Sequence, residues 1–332
     1  MKHVNVSLFV PHLGCPHDCI FCNQRTISGK SEPLSFESVR SACETAKKYE
    51  HDIADSEIAF FGGSFTAIGI ERMTEYLEAA APYVGKDFGG IRVSTRPDCI
   101  DEEILGILKK YGVTAIELGS QSMSDEVLSL NERGHCAEDT VNASRLIKSF
   151  GFSLGLQMMT GLYGSDDRKD IETAEKFIEL SPDTVRIYPT VVLEGTKLEK
   201  LYKEGFYKPQ TVEEAASLCA VLIPMFNENN IKIIRVGLHS GGGVENGYVA
   251  GAYHPAFREL CDALIYRCKC EEKLASLPKG KYTVYVSEKD VSKMNGQRKS
   301  NTEYFRSKGY EIKVRPSPEL KEYETSITKG II

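Results

Sequence analysis

The sequence predicts an α/β protein built on a partial or complete parallel (β/α) barrel, followed by a small C-terminal α/β extension. Strand-like and helix-like periodicities alternate through about the first 240 residues. Seven short apolar strands can be counted before Ser240. The length of 332 residues accommodates one barrel of about 250 residues and an appendage. An open doubly wound sheet is the alternative arrangement of the same elements.

The elements follow one another in a regular order. The predicted strands cover residues 4–10, 57–61, 91–94, 113–118, 152–159, 184–188 and 231–238. The predicted helices cover residues 36–49, 71–83, 101–111, 137–150, 168–180 and 212–229. Asp101 is typical of a helix N-cap, and Gly151 is typical of a helix end. Because parallel strands cannot be joined by tight turns, helices between the strands predict a parallel sheet with its site at the carboxyl ends.

The segment after the barrel is predicted to be small. Residues 240–253 are rich in glycine and predict a long loop, suited to cover the barrel mouth as a lid. A helix over 255–274 precedes a β-α-β tail (282–286, 299–308, 310–314), and the polar residues 317–332 are expected to fray. We therefore divide the chain into a barrel domain, 1–240, and a second segment, 241–332, whose strands pack on or beside the barrel.

Composition excludes several classes of protein. Hydrophobic residues make up 41% and charged residues 27%, which excludes a wholly disordered or collagen-like chain. No run approaches the ~18 apolar residues of a membrane span. The net charge of −6 is uneven: residues 265–332 carry 15 basic and 9 acidic side chains, or +6, and the remainder carries −12. This asymmetry favours an anionic partner for the tail, the alternative being an ordinary basic face.

Three of the ten cysteines lie within eight residues, directly after the first strand. Cys15, Cys19 and Cys22 form a C-x3-C-x2-C pattern. With no secretory segment, a reducing cytoplasm and free or metal-bound thiols are expected. Three thiolates on one short loop can face one point, which suits an iron–sulfur cluster or zinc. No fourth ligand follows at the spacing of a second zinc pair, so one iron of a cluster would stay open for a substrate or cofactor.

Glycines and polar residues follow the second and third strands. Gly62 and Gly63 allow a ligand to approach the backbone closely, and Ser64 comes next. Thr95 and Arg96 end the third strand. The Arg96 guanidinium is suited to a bidentate contact with a ligand carboxylate, and the alternative is a salt bridge beneath the loop.

The later strands also carry polar residues near their ends. Glu117 is a charge within an otherwise apolar strand, which predicts a functional or a paired carboxylate. Gln121 ends the same strand, and Arg133 follows twelve residues later. Gln157 and Tyr188 lie in the fifth and sixth strands.

Together these motifs resemble the radical SAM superfamily. They read CPHDCIFC, FFGGSFT, STRPD, IELGSQS, NERGH and RIYPT along the chain. The resemblance implies a barrel of radical SAM type and a 4Fe–4S cluster on Cys15, Cys19 and Cys22. It further implies S-adenosylmethionine (SAM) at the fourth iron, cleaved to methionine and a 5′-deoxyadenosyl radical. The implied SAM contacts are Phe21, Gly62, Gly63, Ser64, Thr95, Arg96, Glu117, Gln121, Arg133, Gln157 and Tyr188.

Over about residues 4–207 the likeness extends to the radical SAM domain of the Elongator catalytic subunit family. That family modifies wobble uridine in tRNA with an additional acetyltransferase domain and acetyl-CoA. Because only about 90 residues follow Ser240, we expect this chain to lack that domain. The resemblance implies a cytoplasmic enzyme acting on tRNA or other RNA, with an electron donor such as flavodoxin or ferredoxin. The alternatives are a small-molecule enzyme similar to coproporphyrinogen oxidase, a non-catalytic cluster- or SAM-binding carrier, and a zinc-ribbon RNA-binding module.

Two further hypotheses concern the C-terminal segment. Basic side chains there are expected to contact RNA phosphates. They are Lys279, Lys281, Lys293, Arg298 and Lys299. A second metal site is the other hypothesis, with His254 and three cysteines as its ligands. Those cysteines are Cys261, Cys268 and Cys270, of which the first two are expected to share a helix face.

Overall fold

A seven-stranded parallel sheet forms the centre of the protein. The computed structural model describes residues 5–10, 15, 18–23, 34–49, 56–238 and 243–330. The strands are β1 (Val6–Val10), β2 (Glu57–Gly62), β3 (Gly90–Thr95), β4 (Val113–Gln121), β5 (Ser153–Thr160), β6 (Thr184–Pro189) and β8 (Lys232–Val236). They lie side by side in that order and curl into a half-barrel with β1 and β8 at its edges. The predicted parallel barrel is therefore confirmed in its partial form.

Helices connect the strands and cover the outer face of the sheet. The helices of this part are α1 (Phe36–Tyr49), α2 (Ile70–Ala80), α3 (Glu102–Lys110), α4 (Asp125–Leu130), α5 (Ala137–Ser149), α6 (Asp167–Leu180), α7 (Lys197–Lys203) and α8 (Val212–Glu228). The Asp101 carboxylate accepts a hydrogen bond from the Ile104 N–H at 2.8 Å, which confirms the predicted cap of α3. Thr211 and Glu214 cap α8 reciprocally.

The two faces of the sheet differ in chemistry. Because side chains alternate along a strand, one face of each strand packs beneath the helices. Those outer-face residues are fully buried and apolar, as Phe60, Val93 and Leu156 show. The opposite face, which we call the inner face, carries polar residues such as Arg92 and Glu117. The half-barrel therefore encloses a polar interior at the place where the sequence predicts a site.

Part of the predicted glycine-rich loop is ordered secondary structure. Residues 243–251 form α9 (Gly243–Gly247) and β9 (Tyr248–Gly251), so the expectation of a long loop is wrong there. β9 pairs antiparallel with β7 (Val191–Leu193). This pairing joins residues about sixty positions apart, which a local glycine count does not reveal. Residues 239–242, which include the start of the predicted lid, lie outside the described residues.

A second, three-stranded sheet lies near the C-terminus. Its strands are β10 (Gly280–Val286), β11 (Tyr310–Pro316) and β12 (Ser326–Lys329), and its helices are α10 (Phe257–Ala275), α11 (Val291–Asn295) and α12 (Ser300–Ser307). The central β10 pairs parallel with β11, which confirms the predicted β-α-β tail. It also pairs antiparallel with β12, so the expected fraying of residues 317–332 is wrong for this strand.

Buried polar contacts fix the final segment to α10. The Tyr323 hydroxyl donates to Asp262 at 2.6 Å, and the Tyr323 backbone N–H donates to the Tyr266 hydroxyl at 2.7 Å. One continuous apolar core runs from Leu8 in β1 to Tyr323. The domain boundary at residue 240 stays a prediction. Within the described ranges, no helix has the length and apolar character needed to cross a membrane.

Candidate functional site

The cysteine loop is fixed to two distant parts of the chain. The Cys22 backbone N–H donates to the Cys19 carbonyl at 3.0 Å, which closes a tight turn. Within this turn the Ile20 N–H donates to the Asn131 carbonyl at 3.3 Å, and the Ile20 carbonyl accepts from the Leu198 N–H at 2.8 Å. Ile20 is buried among apolar residues that include Leu198, with Phe21 packed beside it. Residues 19–22 are therefore held by contacts with distant parts of the chain.

Two arginines lie at the buried cysteine of this loop. The Arg133 Nη1 donates to Cys19 Sγ at 3.1 Å, and its Nη2 donates to the Gly119 carbonyl. Arg96 donates to the Arg133 carbonyl and makes a bidentate pair with Asp98 at 2.9 and 2.8 Å. Two N–H groups keep no hydrogen-bond partner among the described residues, namely Arg96 Nη1 and Arg133 Nε. Buried donors of this kind are costly unless a ligand satisfies them.

Cys15 lies in the same cluster. Burial raises the pKa of its thiol, while a Ser64 backbone hydrogen bond and the charges of Arg133 and Arg96 act in the opposite direction. The nearby Cys19 charge raises the pKa further, so the two sulfurs are electrostatic neighbours. The structure therefore places two of the three loop cysteines beside the ends of β2 and β3.

A hydroxyl network joins the ends of β2 and β3. Ser64 Oγ lies 2.7 Å from Thr95 Oγ1, which lies 2.5 Å from Thr66 Oγ1. Ser64 Oγ also accepts from the Arg96 backbone N–H at 3.2 Å. All four residues are buried. Such a satisfied network sets the position of Arg96 beside Cys19.

The double glycine allows β1 and β2 to approach closely. Gly62 has a φ of 110°. A Cβ there would lie 2.6 Å from the Phe9 ring and 2.7 Å from the Val10 carbonyl oxygen. The Gly63 N–H donates to that same carbonyl at 3.1 Å. Glycine at residue 62 is therefore required by backbone geometry, because it lets the end of β1 lie directly against the end of β2.

The backbone at the end of β4 is strained, and it lies beside Arg133 and the end of β3. Gln121 has a φ of 66°, an uncommon conformation for a residue with a side chain, and the register with β5 shifts beside it. A Cβ on Gly119 would lie 3.0 Å from Gln121 Nε2, 3.6 Å from Arg133 Nη2 and 3.6 Å from the Thr95 carbonyl. Gly119 therefore lets Gln121, Arg133 and Thr95 converge.

Glu117 belongs to a separate cluster on the inner face. It is 1% exposed and accepts two hydrogen bonds from Arg186, at 2.6 and 2.9 Å. Arg92 Nη1 donates to it at 3.2 Å, and Gln157 Nε2 donates at 2.9 Å. Tyr188 contacts this group through Arg186. Of the two interpretations of this buried charge, the structure shows a paired carboxylate.

Apart from Phe21 and Cys22, the predicted site residues fall into two groups. Those around the cysteine loop are Cys15, Cys19, Gly62, Gly63, Ser64, Thr95, Arg96, Gln121 and Arg133. Those of the inner-face charge cluster are Glu117, Gln157 and Tyr188. Phe21 packs on the apolar side of the loop. Within the described ranges, no three His, Cys, Asp or Glu side chains form a group that could hold a metal ion, so the cluster ligands stay a prediction.

Two further residues lie at this site although they were not among the predicted site residues, namely Cys99 and His135. Cys99 follows the third strand; burial raises the pKa of its thiol, while hydrogen bonds to Ser64 and Arg96 act in the opposite direction. His135 stands in the NERGH motif, and its Nε2 lies 3.3 Å from the Ser120 carbonyl. Burial, followed by the charges of Arg133 and Arg96, lowers the pKa of His135 to about 4.

The later cysteines do not converge. Cys261 is buried and is a hydrogen-bond neighbour of Cys219 on α8. Cys261 and Cys268 lie seven residues apart on α10, which is the spacing of a shared helix face, but Cys268 is exposed whereas Cys261 and Cys270 are buried. Metal-binding groups of three or more ligands are absent from the part of the chain that is described.

A parallel half-barrel with a C-x3-C-x2-C loop after β1 defines the class of radical SAM proteins. The sequence matches the Radical SAM superfamily over residues 9–178, which is more than half of the chain. It also matches the Radical_SAM C-terminal domain family over residues 182–267. The chain therefore belongs to the Radical SAM superfamily, and it is an enzyme of that superfamily.

Curated relatives support a narrower likeness. The chain is 29% identical over 246 residues to a tRNA uridine(34) acetyltransferase of Methanocaldococcus jannaschii, which covers 61% of this chain and 45% of that protein. It is 27% identical over 224 residues to Elongator complex protein 3 of Saccharomyces cerevisiae, covering 61% of this chain and 40% of that protein. An uncharacterized protein of M. jannaschii is 34% identical over 220 residues, covering 62% of this chain and 67% of that protein. The chain thus spans less than half of the first two relatives.

Solved structures confirm the fold. The archaeal Elp3 of Methanocaldococcus infernus matches with a TM-score of 0.63 at 24% identity, covering 83% of this chain and 64% of that one. SuiB of Streptococcus suis bound to S-adenosylmethionine matches with a TM-score of 0.52 at 13% identity, covering 70% and 50% of the two chains. A 4Fe–4S cluster and SAM are the cofactors of the superfamily.

The residues present fit this pair of cofactors. The guanidinium N–H groups of Arg96 and Arg133 that lack a partner within the described ranges are suited to an anionic ligand, because planar guanidinium groups recognise carboxylates in a bidentate way. The three thiols of the loop are the donor type that iron–sulfur clusters require.

Proposed function

We propose that this enzyme cleaves SAM reductively, with its 4Fe–4S cluster held by Cys15, Cys19 and Cys22. The observation that carries this proposal is the pair of buried guanidinium groups at Cys19, each with an N–H that lacks a partner among the described residues. When bound, the cluster supplies the electron that converts SAM to methionine and a 5′-deoxyadenosyl radical.

The chain's own residues would bind and orient SAM. Arg96 and Arg133 would donate to its carboxylate through the two N–H groups that have no partner among the described residues. Gly62 and Gly63 would present backbone to its amine, since a side chain at residue 62 is excluded by β1. Further contacts would come from Phe21, Ser64, Thr95 and Gln121.

We further propose that the substrate is RNA and that the site of reaction is a uridine. The similarity to a tRNA uridine(34) acetyltransferase of M. jannaschii supports the uridine. The excess of 15 basic over 9 acidic residues in 265–332 supports an anionic partner. An electron donor such as flavodoxin or ferredoxin would reduce the cluster. The small-molecule and carrier alternatives have no specific support among the described residues.

The basic residues proposed to contact RNA differ in exposure and in ion pairing. Lys293 is partly buried and paired with Asp290 at 2.8 Å and Glu322 at 2.8 Å, so it is unsuited to an RNA phosphate. Lys281 pairs with Glu311. Arg298 and Lys299, by contrast, are exposed and stand in succession at φ values of 51° and 63°.

The cluster and SAM are tested by one experiment. Protein reconstituted anaerobically with iron and sulfide, reduced with dithionite and supplied with SAM is expected to release 5′-deoxyadenosine. Replacing Cys15, Cys19 or Cys22 by Ala is expected to remove this activity and the visible absorbance near 400 nm, about where iron–sulfur proteins absorb. Cys268→Ala is the matched control, because that thiol is exposed on α10. A wild-type protein that binds SAM without cleaving it would favour the carrier alternative.

RNA binding is tested separately by gel retention of a tRNA at several salt concentrations. The double variant Arg298→Gln, Lys299→Gln is expected to weaken retention and to lower the salt dependence. Arg168→Gln on α6 is the control, since that exposed arginine pairs with Glu172 on the same helix. Unchanged retention in the double variant would contradict the role of this turn.

A further inference from the structure

Two arginines stand next to each other on the inner face at the edge of the half-barrel. Arg186 on β6 and Arg235 on β8 are partners in the register of these parallel strands. On the other side, Arg186 is the partner of Gln157 on β5. Gln157 and Arg186 both contact Glu117, so this row of side chains points into the half-barrel. The row therefore continues the inner-face charge cluster to the sheet edge.

Arg186 is fully engaged within this cluster. Its Nε and Nη2 donate to the two oxygens of Glu117, at 2.6 and 2.9 Å. Its Nη1 lies 3.5 Å from the Tyr188 hydroxyl, and the Phe61 ring lies 5.3 Å from its guanidinium carbon. Although burial lowers the pKa of Arg186, Tyr188 and Glu117 raise it above its ordinary value overall.

Arg235 has no such partner. Neither a hydrogen bond nor an ion pair is found for its guanidinium within the described part of the chain, although the side chain is half-buried. Burial lowers its pKa, and the neighbouring charge of Arg186 lowers it further, while Tyr188 acts in the opposite direction. Arg235 thus differs from Arg186, its neighbour in the same row, whose guanidinium is paired with Glu117.

The charges of this cluster do not balance among the described residues. In that part of the chain, Arg92, Arg186 and Arg235 are three cations, and Glu57 and Glu117 are two anions. Both carboxylates are already paired with Arg92, and Glu117 with Arg186 as well. A cation withdrawn from water without a counter-charge is destabilising. One negative charge supplied from outside the chain would balance the cluster.

We propose that Arg235, together with the Tyr188 hydroxyl, forms a subsite for an anionic oxygen group of the substrate, a phosphate or a carboxylate. Tyr188 lies close to both arginines and remains a neutral hydroxyl donor, so it offers a hydrogen bond without adding charge. A guanidinium matches either anion through two parallel N–H groups. The subsite deepens the proposed function, on which it rests, because it would fix the substrate within the polar interior.

Ligand-observed NMR on the full chain tests this subsite with two small anions. Line broadening of inorganic phosphate in phosphorus spectra and of acetate in carbon spectra measures binding of the two anion types. The anion whose resonance broadens more shows whether the group that the subsite binds is a phosphate or a carboxylate. Arg235→Gln is expected to reduce its affinity by about tenfold or more, because a charge-assisted hydrogen bond is lost. Arg235→Lys is expected to retain part of it, since the charge remains.

The controls separate this proposal from its alternatives. Arg168→Gln removes an exposed arginine from α6 and is expected to leave the broadening unchanged. Thermal unfolding of each variant identifies loss of fold as a separate cause. If wild type and Arg235→Gln broaden both anions equally, the subsite does not exist. The titration uses neither SAM nor the cluster, so this failure is distinguishable from a wild-type protein that fails to release 5′-deoxyadenosine.

Discussion

The Arg133 guanidinium donates to the Cys19 sulfur at 3.1 Å, joining residues 114 positions apart in the sequence. The same guanidinium donates to the Gly119 carbonyl at the end of β4. Arg133 therefore connects the cysteine loop to the strand ends of the half-barrel. Its remaining Nε–H has no partner among the described residues.

Arg133→Gln is expected to weaken SAM binding by about 10- to 100-fold, because a charge-assisted hydrogen bond is worth about 1.5–3 kcal/mol. Equilibrium dialysis of labelled SAM against the reconstituted protein measures the affinity, and iron content reports cluster loading. Arg145→Gln, at an exposed position of α5, is the control. SAM affinity that stays at the wild-type value with a full cluster would show that Arg133 has only a structural role.

Gly62→Ala is expected to destabilise the fold by about 2–5 kcal/mol. The positive φ costs about 1–2 kcal/mol for a residue with a side chain, and overpacking against the Phe9 ring and the Val10 carbonyl adds about 1–3 kcal/mol. Urea unfolding measures the change. Gly69→Ala is the matched control, because Gly69 has a φ of 93° and a Cβ at that position would meet nothing within 4 Å. Equal losses in the two variants would show that the close approach of β1 is unimportant.

Glu117→Gln is expected to lower the free energy of unfolding by about 3–5 kcal/mol, since it leaves buried guanidinium groups without their counter-charge. The side chain is 1% exposed and is bonded to both Arg186 and Arg92. Chemical denaturation gives the free energy of unfolding. The exposed pair of Glu303 and Arg306 provides the control, because Glu303→Gln is expected to cost less than about 1 kcal/mol. Similar values for the two substitutions would argue against a buried charge cluster.

His135 is expected to make stability depend on pH. Its pKa is lowered from 6.5 to about 4 in the fold, so the unfolded chain takes up a proton at a higher pH than the folded protein. The stability that neutral His135 contributes is therefore full above pH 6.5 and is lost as the pH falls towards 4. By pH 5 the loss is about 2 kcal/mol.

His135→Gln is expected to remove this part of the pH dependence. Urea unfolding at pH 7, 6 and 5 compares the slopes of the variant and the wild type. His254→Gln serves as the matched control, since it leaves His135 in place. A His135→Gln protein whose stability falls with the same slope as the wild type between pH 6.5 and 5 would contradict the assignment.

The sequence by itself predicted a parallel sheet in a partial or complete barrel, and it predicted a metal or cluster role for the three cysteines that follow the first strand. Short apolar strands separated by helices admit only parallel pairing, and three thiols within eight residues admit few uses other than a metal or cluster. The N-cap at Asp101 followed from local hydrogen bonding alone. These features depend on residues close together in the chain, which is why pattern and spacing were sufficient.

Only the tertiary structure decided which charged residues form hydrogen bonds and ion pairs with one another. Glu117, Gln157 and Arg186 come from three strands, and their contacts exist only once those strands are in register. For the same reason β9 and β12, whose partners are distant in the chain, were expected to be loop or frayed ends. The difference between Arg186, which is paired, and Arg235, which has no partner in the described part of the chain, is likewise a property of packing, because pairing depends on distances in space that spacing along the chain does not encode.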